Sequence, residues 1–160
     1  MTQPRGPEDV QAALDERGLD IQVQIHAEST ATSEEAAAAA GCELGQIAKS
    51  LCFSVADQPI LVIAAGDQRV DTRKIAQMYE VGRKKVKMTD AESTIAITGY
   101  APGGVPPLGL ASDIPIFIDA TLGRFDLIYG AAGASNAIFP VPFDLLVEAT
   151  GGQVVDITEG

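Results

Sequence analysis

Residues 48–66 read AKSLCFSVADQPILVIAAG, and this stretch decides the fold. In its first part Lys49, Leu51, Phe53 and Val55 fall in one phase of a two-residue alternation, the pattern of a strand with one covered face. The second part, ILVIAAG from position 60, is apolar without alternation, which suits a central strand covered on both faces. Asp57-Gln58-Pro59 supplies a turn between them. Two adjacent strands joined so tightly predict a hairpin at the heart of a sheet.

Working outward, Pro7-Glu8-Asp9 opens a helix that Gly18 stops, with acids placed at its positive end. Ile21, Val23 and Ile25 alternate with Gln22, Gln24 and His26, which predicts a half-exposed strand and puts His26 at the surface or a rim. Thr32 or Ser33 caps the next helix, SEEAAAAAGC, which Gly41 ends. Beyond the hairpin, Asp71 caps a short helix through Met78, KKVKM reads as a strand, and Thr89-Asp90-Ala91-Glu92 starts another helix. Strands PIFID, DLIYGAA and NAIFPV follow a long Gly/Pro loop, Pro142 begins a last helix, and VVDI closes the chain as a strand. Hairpin-like and helix-separated strands together predict an α+β fold with a mixed sheet. No linker or repeat interrupts residues 1–160, so one domain is expected, with 1–19 as its N-terminal helix and extension.

Composition narrows the function classes. Hydrophobic residues make up 46% and charged residues 21%, which excludes a disordered chain. The longest apolar run, residues 60–65, is too short to cross a bilayer, and the N-terminus lacks the apolar core of a secretory signal. A soluble cytoplasmic protein is expected, with no membrane partner and Cys42 and Cys52 as buried free thiols. His26 is the only histidine, so a metal site would need it with both cysteines and a carboxylate, and a Ser-His-Asp or Cys-His mechanism would have no other base. No metal and no cofactor are therefore expected. The net charge of −11 opposes a nucleic-acid partner, yet seven of the eleven Lys and Arg residues lie between 69 and 87. Arg69, Arg73, Lys74, Arg83, Lys84, Lys85 and Lys87 form either an ordinary solvated face or a local phosphate-docking segment.

Three features carry chemistry. Lys49 shares the phase of residues meant for burial, so its ammonium needs a partner, a ligand or an escape to the strand's end. The loop 99–109, GYAPGGVPPLG, combines glycines that let a ligand approach the backbone with prolines that fix its shape. It has neither the lysine of a P-loop nor the G-x-G-x-x-G spacing. The segment 130–136, GAAGASN, is a second small-residue loop, of a kind that often merely turns the chain.

Taken in order, AKSLCFSV, PILVIAAGDQRVDTRKIA, TGYAPGGVPPLG, IPIFIDATL and YGAAGASNAIFPVPFDLLVEATGGQVVDI resemble the YbaK/prolyl-tRNA-synthetase-associated family over residues 20–158. The resemblance implies a curved mixed sheet flanked by helices, and hydrolysis of mischarged tRNA, often tRNA for proline. It implies Lys49 as the catalytic group. It implies a substrate pocket from Ser50, Leu51, Gly103, Gly104, Val105, Pro107, Leu108, Gly109, Gly133, Ser135 and Asn136. Backbone N–H groups of residues 103–108 and 133–136 would polarise the ester, and the terminal ribose hydroxyl would replace the missing base. Ala132 and Gly133 stand where some relatives carry histidine, and Leu110 where others carry histidine or methionine, so the amino acid removed stays open. Under the resemblance Arg73, Lys74, Arg83, Lys84, Lys85 and Lys87 become tRNA contacts, DNA is not a partner, and delivery by prolyl-tRNA synthetase or an elongation factor is expected. The alternative is a non-catalytic module that binds a small molecule or a tRNA end in the same pocket.

Overall fold

In the computed structural model, which describes residues 3–159, the chain runs α1 (Pro7–Glu16), β1 (Gln24–Ile25), α2 (Ser33–Ala40), β2 (Ile47–Val55), β3 (Gln58–Ala65), α3 (Thr72–Tyr79), β4 (Val86–Met88), α4 (Ala91–Thr98), β5 (Ile116–Asp119), β6 (Leu127–Ala131), β7 (Ala137–Pro142), α5 (Phe143–Thr150) and β8 (Gln153–Val155). Short 3-10 turns precede β2 and β4 and follow β5. The eight strands form one mixed sheet in the order β1-β7-β6-β2-β3-β5-β8, with β4 joined to β2 off that path. The expected α+β fold with a mixed sheet and flanking helices is the one observed.

The hairpin lies at the centre, paired from Ala48↔Ala65 to Val55↔Gln58. Its turn is tighter than the sequence reading placed it. Ala56 (φ 47°) and Asp57 (φ 68°) are both left-handed, the geometry whose twist matches a two-residue hairpin, and Pro59 already sits in β3 opposite Ser54. Residues 60–65 are all buried because the two faces of β3 feed different cores. Leu61, Ile63 and Ala65 pack with α1, β6, β7 and α5, whereas Ile60, Val62 and Ala64 pack with Phe53, Ile75 and Val86 on the α3 side. Burying each of these Val, Leu and Ile side chains contributes about 1.5–3 kcal/mol.

One edge of β2 is shared by two strands, and this positions the site. β6 pairs parallel with it at Ile47↔Tyr129 and Ala48↔Gly130, and β4 pairs antiparallel from Phe53↔Met88 to Val55↔Val86. Among the described residues no strand pairs with 49–52 on that edge. The sheet is notched there.

Two element boundaries also change. The strand read over 21–25 shrinks to Gln24–Ile25, because only these pair with β7; Ile21 is buried but Ile25 is 61% exposed, so the alternation does not hold. Pro142 does not start α5 but ends β7 with an extended backbone (φ −60°, ψ 140°) and caps the helix that begins at Phe143. Among the described residues no helix is long and apolar enough to cross a membrane. Cys52 is buried as expected, but Cys42 is only partly so, and both are free.

Candidate functional site

The notch in β2 opens into a cavity of about 240 Å³. Its floor is β2 from Ile47 to Leu51, and one side is β6 at Tyr129, Gly130 and Ala131 with Ile138 of β7 behind it. The start of α2 and the residues before it, Thr30 to Ser33 with Ala36, make the opposite side, and Gly103 and Val105 of the Gly/Pro loop close the rim. Lys49, Ser50, Leu51, Gly103 and Val105 from the sequence reading thus line the same cavity. The helix reaches this place because Thr32 and Glu35 form a reciprocal capping box, Thr32 Oγ1 accepting from Glu35 N (3.1 Å) and Glu35 Oε1 accepting from Thr32 N (3.2 Å). The bond from Thr32 N, with those from the Ser29 and Thr32 hydroxyls, holds the Glu35 carboxyl below its usual range.

Lys49 is half-buried, and its Nζ donates to the backbone carbonyl of Gln68 at 2.9 Å. Among the described residues it has no carboxylate partner, since the ion pairs there are Lys74–Asp156 and Arg124–Asp67. A neutral carbonyl orients the ammonium without cancelling its charge. No carboxylate and no imidazole lines the cavity among the described residues. No group of three His, Cys, Asp or Glu side chains gathers there or elsewhere among them in a metal-binding arrangement.

The remaining expected residues stand behind the wall. The two small-residue loops lie backbone to backbone: Gly133 N donates to Gly104 O at 2.9 Å, and a Cβ on Gly104 would come 2.9 Å from Ala134 N. Gly104 N itself donates to Ala101 O. Two of the N–H groups expected to polarise an ester, those of Gly104 and Gly133, are therefore already spent on shaping the loops. Pro107 packs over Gly130, where a Cβ would meet its Cδ at 3.1 Å. Leu108 belongs to the main core, and Gly109 (φ 72°) lies so close to Ala13 of α1 that a Cβ would come within 2.7 Å. Ser135 and Asn136 hold the segment entering α2: Ser135 O accepts from Thr30 N (2.6 Å), and Asn136 Nδ2 donates to His26 O (3.1 Å). His26 itself lies outside the cavity wall at an intermediate depth, but its Nε2 is closed off from solvent and has no hydrogen-bond partner among the described residues, so the ring is only partly at the surface.

Sequence reasoning missed Thr30. It is 5% exposed, lines the cavity, and its Oγ1 is closed off from solvent with no hydrogen-bond partner, as is the Oγ of Ser50 in the same wall. A buried hydroxyl without a partner costs about 1–3 kcal/mol. The cysteines show the opposite chemistry, since burial raises both thiols above their usual range. Of the basic segment, Lys74 is engaged by Asp156 (2.9 Å) and Thr158 O (2.6 Å), and Arg83 Nε donates to Thr72 (3.3 Å). Lys74 is thus a structural tie, whereas Arg73, Lys84, Lys85 and Lys87 are exposed.

The fold and the site together define an α+β domain with a small cavity, walled by one lysine that has no counter-charge among the described residues and closed by two interlocked backbone loops. The chain belongs to the aminoacyl-tRNA editing domain family, whose profile matches residues 27–149. It is 40% identical over 110 residues to the uncharacterized protein YwhH of Bacillus subtilis, covering 68% of each chain. It is 29% identical to an Enterococcus faecalis protein provisionally named a Cys-tRNA(Pro)/Cys-tRNA(Cys) deacylase, covering 79% of this chain and 77% of that one. A crystal structure described as a provisional trans-editing enzyme for prolyl-tRNA synthetase superposes with a TM-score of 0.90 at 34% identity, covering 96% of this chain and 97% of the other.

Proposed function

We propose that this chain is a cytoplasmic trans-editing hydrolase that removes a small, wrongly attached amino acid from the 3′ end of a tRNA, with tRNA for proline the first substrate to try. The observation that carries the reading is Lys49, an ammonium held only by a carbonyl at the wall of a cavity otherwise made of hydroxyls, methyls and backbone. In the reaction, water adds to the ester carbonyl, the bond from that carbon to the ribose oxygen breaks, and the ribose oxygen takes the proton that the water gives up. Lys49 stabilises the negative charge developing on the carbonyl oxygen or the adjoining phosphate, an electrostatic contribution worth about 3–4 kcal/mol in comparable sites. With no carboxylate or imidazole in the wall among the described residues, the neighbouring ribose hydroxyl of the substrate relays the proton. The relatives named for Cys-tRNA(Pro) deacylation and for prolyl-tRNA synthetase support the substrate class.

The test is a panel of mischarged tRNAs, with release of the amino acid followed over time. Selective release is expected from at least one pairing, lost by more than a hundredfold in Lys49→Ala while the far-ultraviolet circular dichroism stays unchanged. A tRNA ending in 2′-deoxyadenosine is expected to be cleaved poorly. A folded Lys49→Ala protein with full activity removes Lys49 from the mechanism, and normal cleavage of the deoxy substrate requires a base from the protein. No release from any pairing leaves the non-catalytic binding module.

A further inference from the structure

Lys49 belongs to two openings. With Leu51 it also walls a second, more open groove of about 570 Å³, which runs past Phe53 on the same face of β2 and on to Arg69, Val70 and Met88. Three charged side chains line this groove, Lys49, Asp67 and Arg69. Asp67 is neutralised by a two-pronged bond from Arg124 (2.8 and 3.1 Å), which holds its carboxyl below the usual range. Arg69 is exposed, and no side-chain bond restrains it among the described residues. The groove is therefore locally cationic in a chain of net charge −11. Its other surface is apolar, with Phe53 buried, Leu51 and Val70 partly covered and Met88 61% exposed.

We propose that this groove receives the single-stranded nucleotides that precede the esterified adenosine of a tRNA. The proposal rests on the editing reading and assigns the part of the substrate that the first cavity has no room to hold. An aminoacyl ester seated in the cavity must lead its nucleotide chain out past Lys49, and the groove is the opening that shares that residue. Lys49 and Arg69, which line the groove together, would hold a phosphate, and the flat faces of the bases would lie against Leu51, Val70 and Met88. Contacts of this kind are tolerant of sequence, which suits an end common to all tRNAs. At Met88 the groove meets Lys87, with Lys84 and Lys85 in the preceding turn, so the path continues towards exposed cations rather than the acidic body.

The test is nuclear magnetic resonance titration of the isotopically labelled protein with the non-aminoacylated trinucleotide CCA, with inorganic phosphate as a parallel probe. The amides of Gln68, Arg69, Val70 and Met88 are expected to shift with CCA, and Arg69→Glu and Met88→Asp, each with an otherwise native spectrum, are expected to weaken binding at least fivefold. In the wild type the slope of log affinity against log salt is expected near −0.7 for each phosphate engaged. Shifts confined to the first cavity, or the same shifts with phosphate alone, overturn the proposal, as does the absence of binding at millimolar CCA. Because CCA carries no ester, these outcomes are independent of hydrolysis: a groove that binds CCA in a protein that deacylates nothing sinks the editing reading alone. Deacylation of a mischarged tRNA without CCA binding in the groove sinks only this one.

Discussion

Thr30 and Lys49 face the same cavity with opposite problems. Lys49 has a charge held by a neutral partner, and Thr30 has a hydroxyl held by none. If the Thr30 hydroxyl were only a packing residue, Thr30→Val would remove an unsatisfied group and nothing else. Replacing such a group by an apolar isostere is neutral or stabilising. A step about χ1 moves Oγ1 to another staggered position, so the hydroxyl is available to a ligand that enters. Thr30→Val is therefore expected to keep or slightly raise the thermal midpoint while lowering kcat/KM about fivefold to tenfold, the worth of one hydrogen bond. Unchanged kcat/KM in the stabilised variant assigns the hydroxyl no part in binding. Lys49 was legible in the sequence because strand periodicity alone put a charge among residues meant for burial. Thr30 was not, because its position depends on how the segment before α2 is tied to Ser135, a contact 105 positions away along the chain that no local pattern encodes.

At the scale of elements, the site depends on two loops that meet through glycine. Gly104 has no left-handed backbone, so a methyl there meets space rather than torsional strain, and the atoms in its way are backbone atoms of Gly133 and Ala134. Gly104→Ala is expected to push the loops apart, costing about 1–3 kcal/mol of stability and at least tenfold in deacylation. Gly151, which ends α5 at φ 65° with open space around it, is the control. Gly151→Ala is expected to lose about 1 kcal/mol through its backbone conformation and to keep its activity. Equal losses of activity in the two variants reduce the loop contact to general stability. The elements themselves were largely written locally, in the Thr32 capping box, the Asp71 and Asp90 caps, and the unbroken apolar run of β3. Misreadings fell where tertiary pairing decides, at β1, which lasts only as long as β7 opposes it, and at Pro142, where the strand continues to the helix cap. The loop donors were misjudged for a related reason. Glycines can offer N–H groups to a ligand or to each other, and at Gly104 and Gly133 the fold takes them.

Across the whole molecule, the segment leading into α1 lies outside the 27–149 family match yet braces the loops, with Arg5 N donating to Gly99 O (2.7 Å) and Gly6, the N-cap of α1, pressed against Gly133. Charge is distributed just as unevenly. The body is acidic, whereas Lys84, Lys85 and Lys87 stand exposed beside the groove that leaves Lys49. An acidic body repels RNA at long range and a local cationic strip attracts it at short range, so the balance depends on salt. The double variant Lys84→Glu/Lys85→Glu is expected to raise KM for a charged tRNA several-fold with kcat nearly unchanged. It is also expected to lose up to about 0.9 for each lost phosphate contact from the slope of log(kcat/KM) against log salt. These side chains make no internal bonds among the described residues, so the thermal midpoint should not move. A lower kcat at constant KM would place them in the chemistry instead. No change in KM or in the salt slope would mean that the strip is a solvated edge and that tRNA is gripped by the groove and cavity alone.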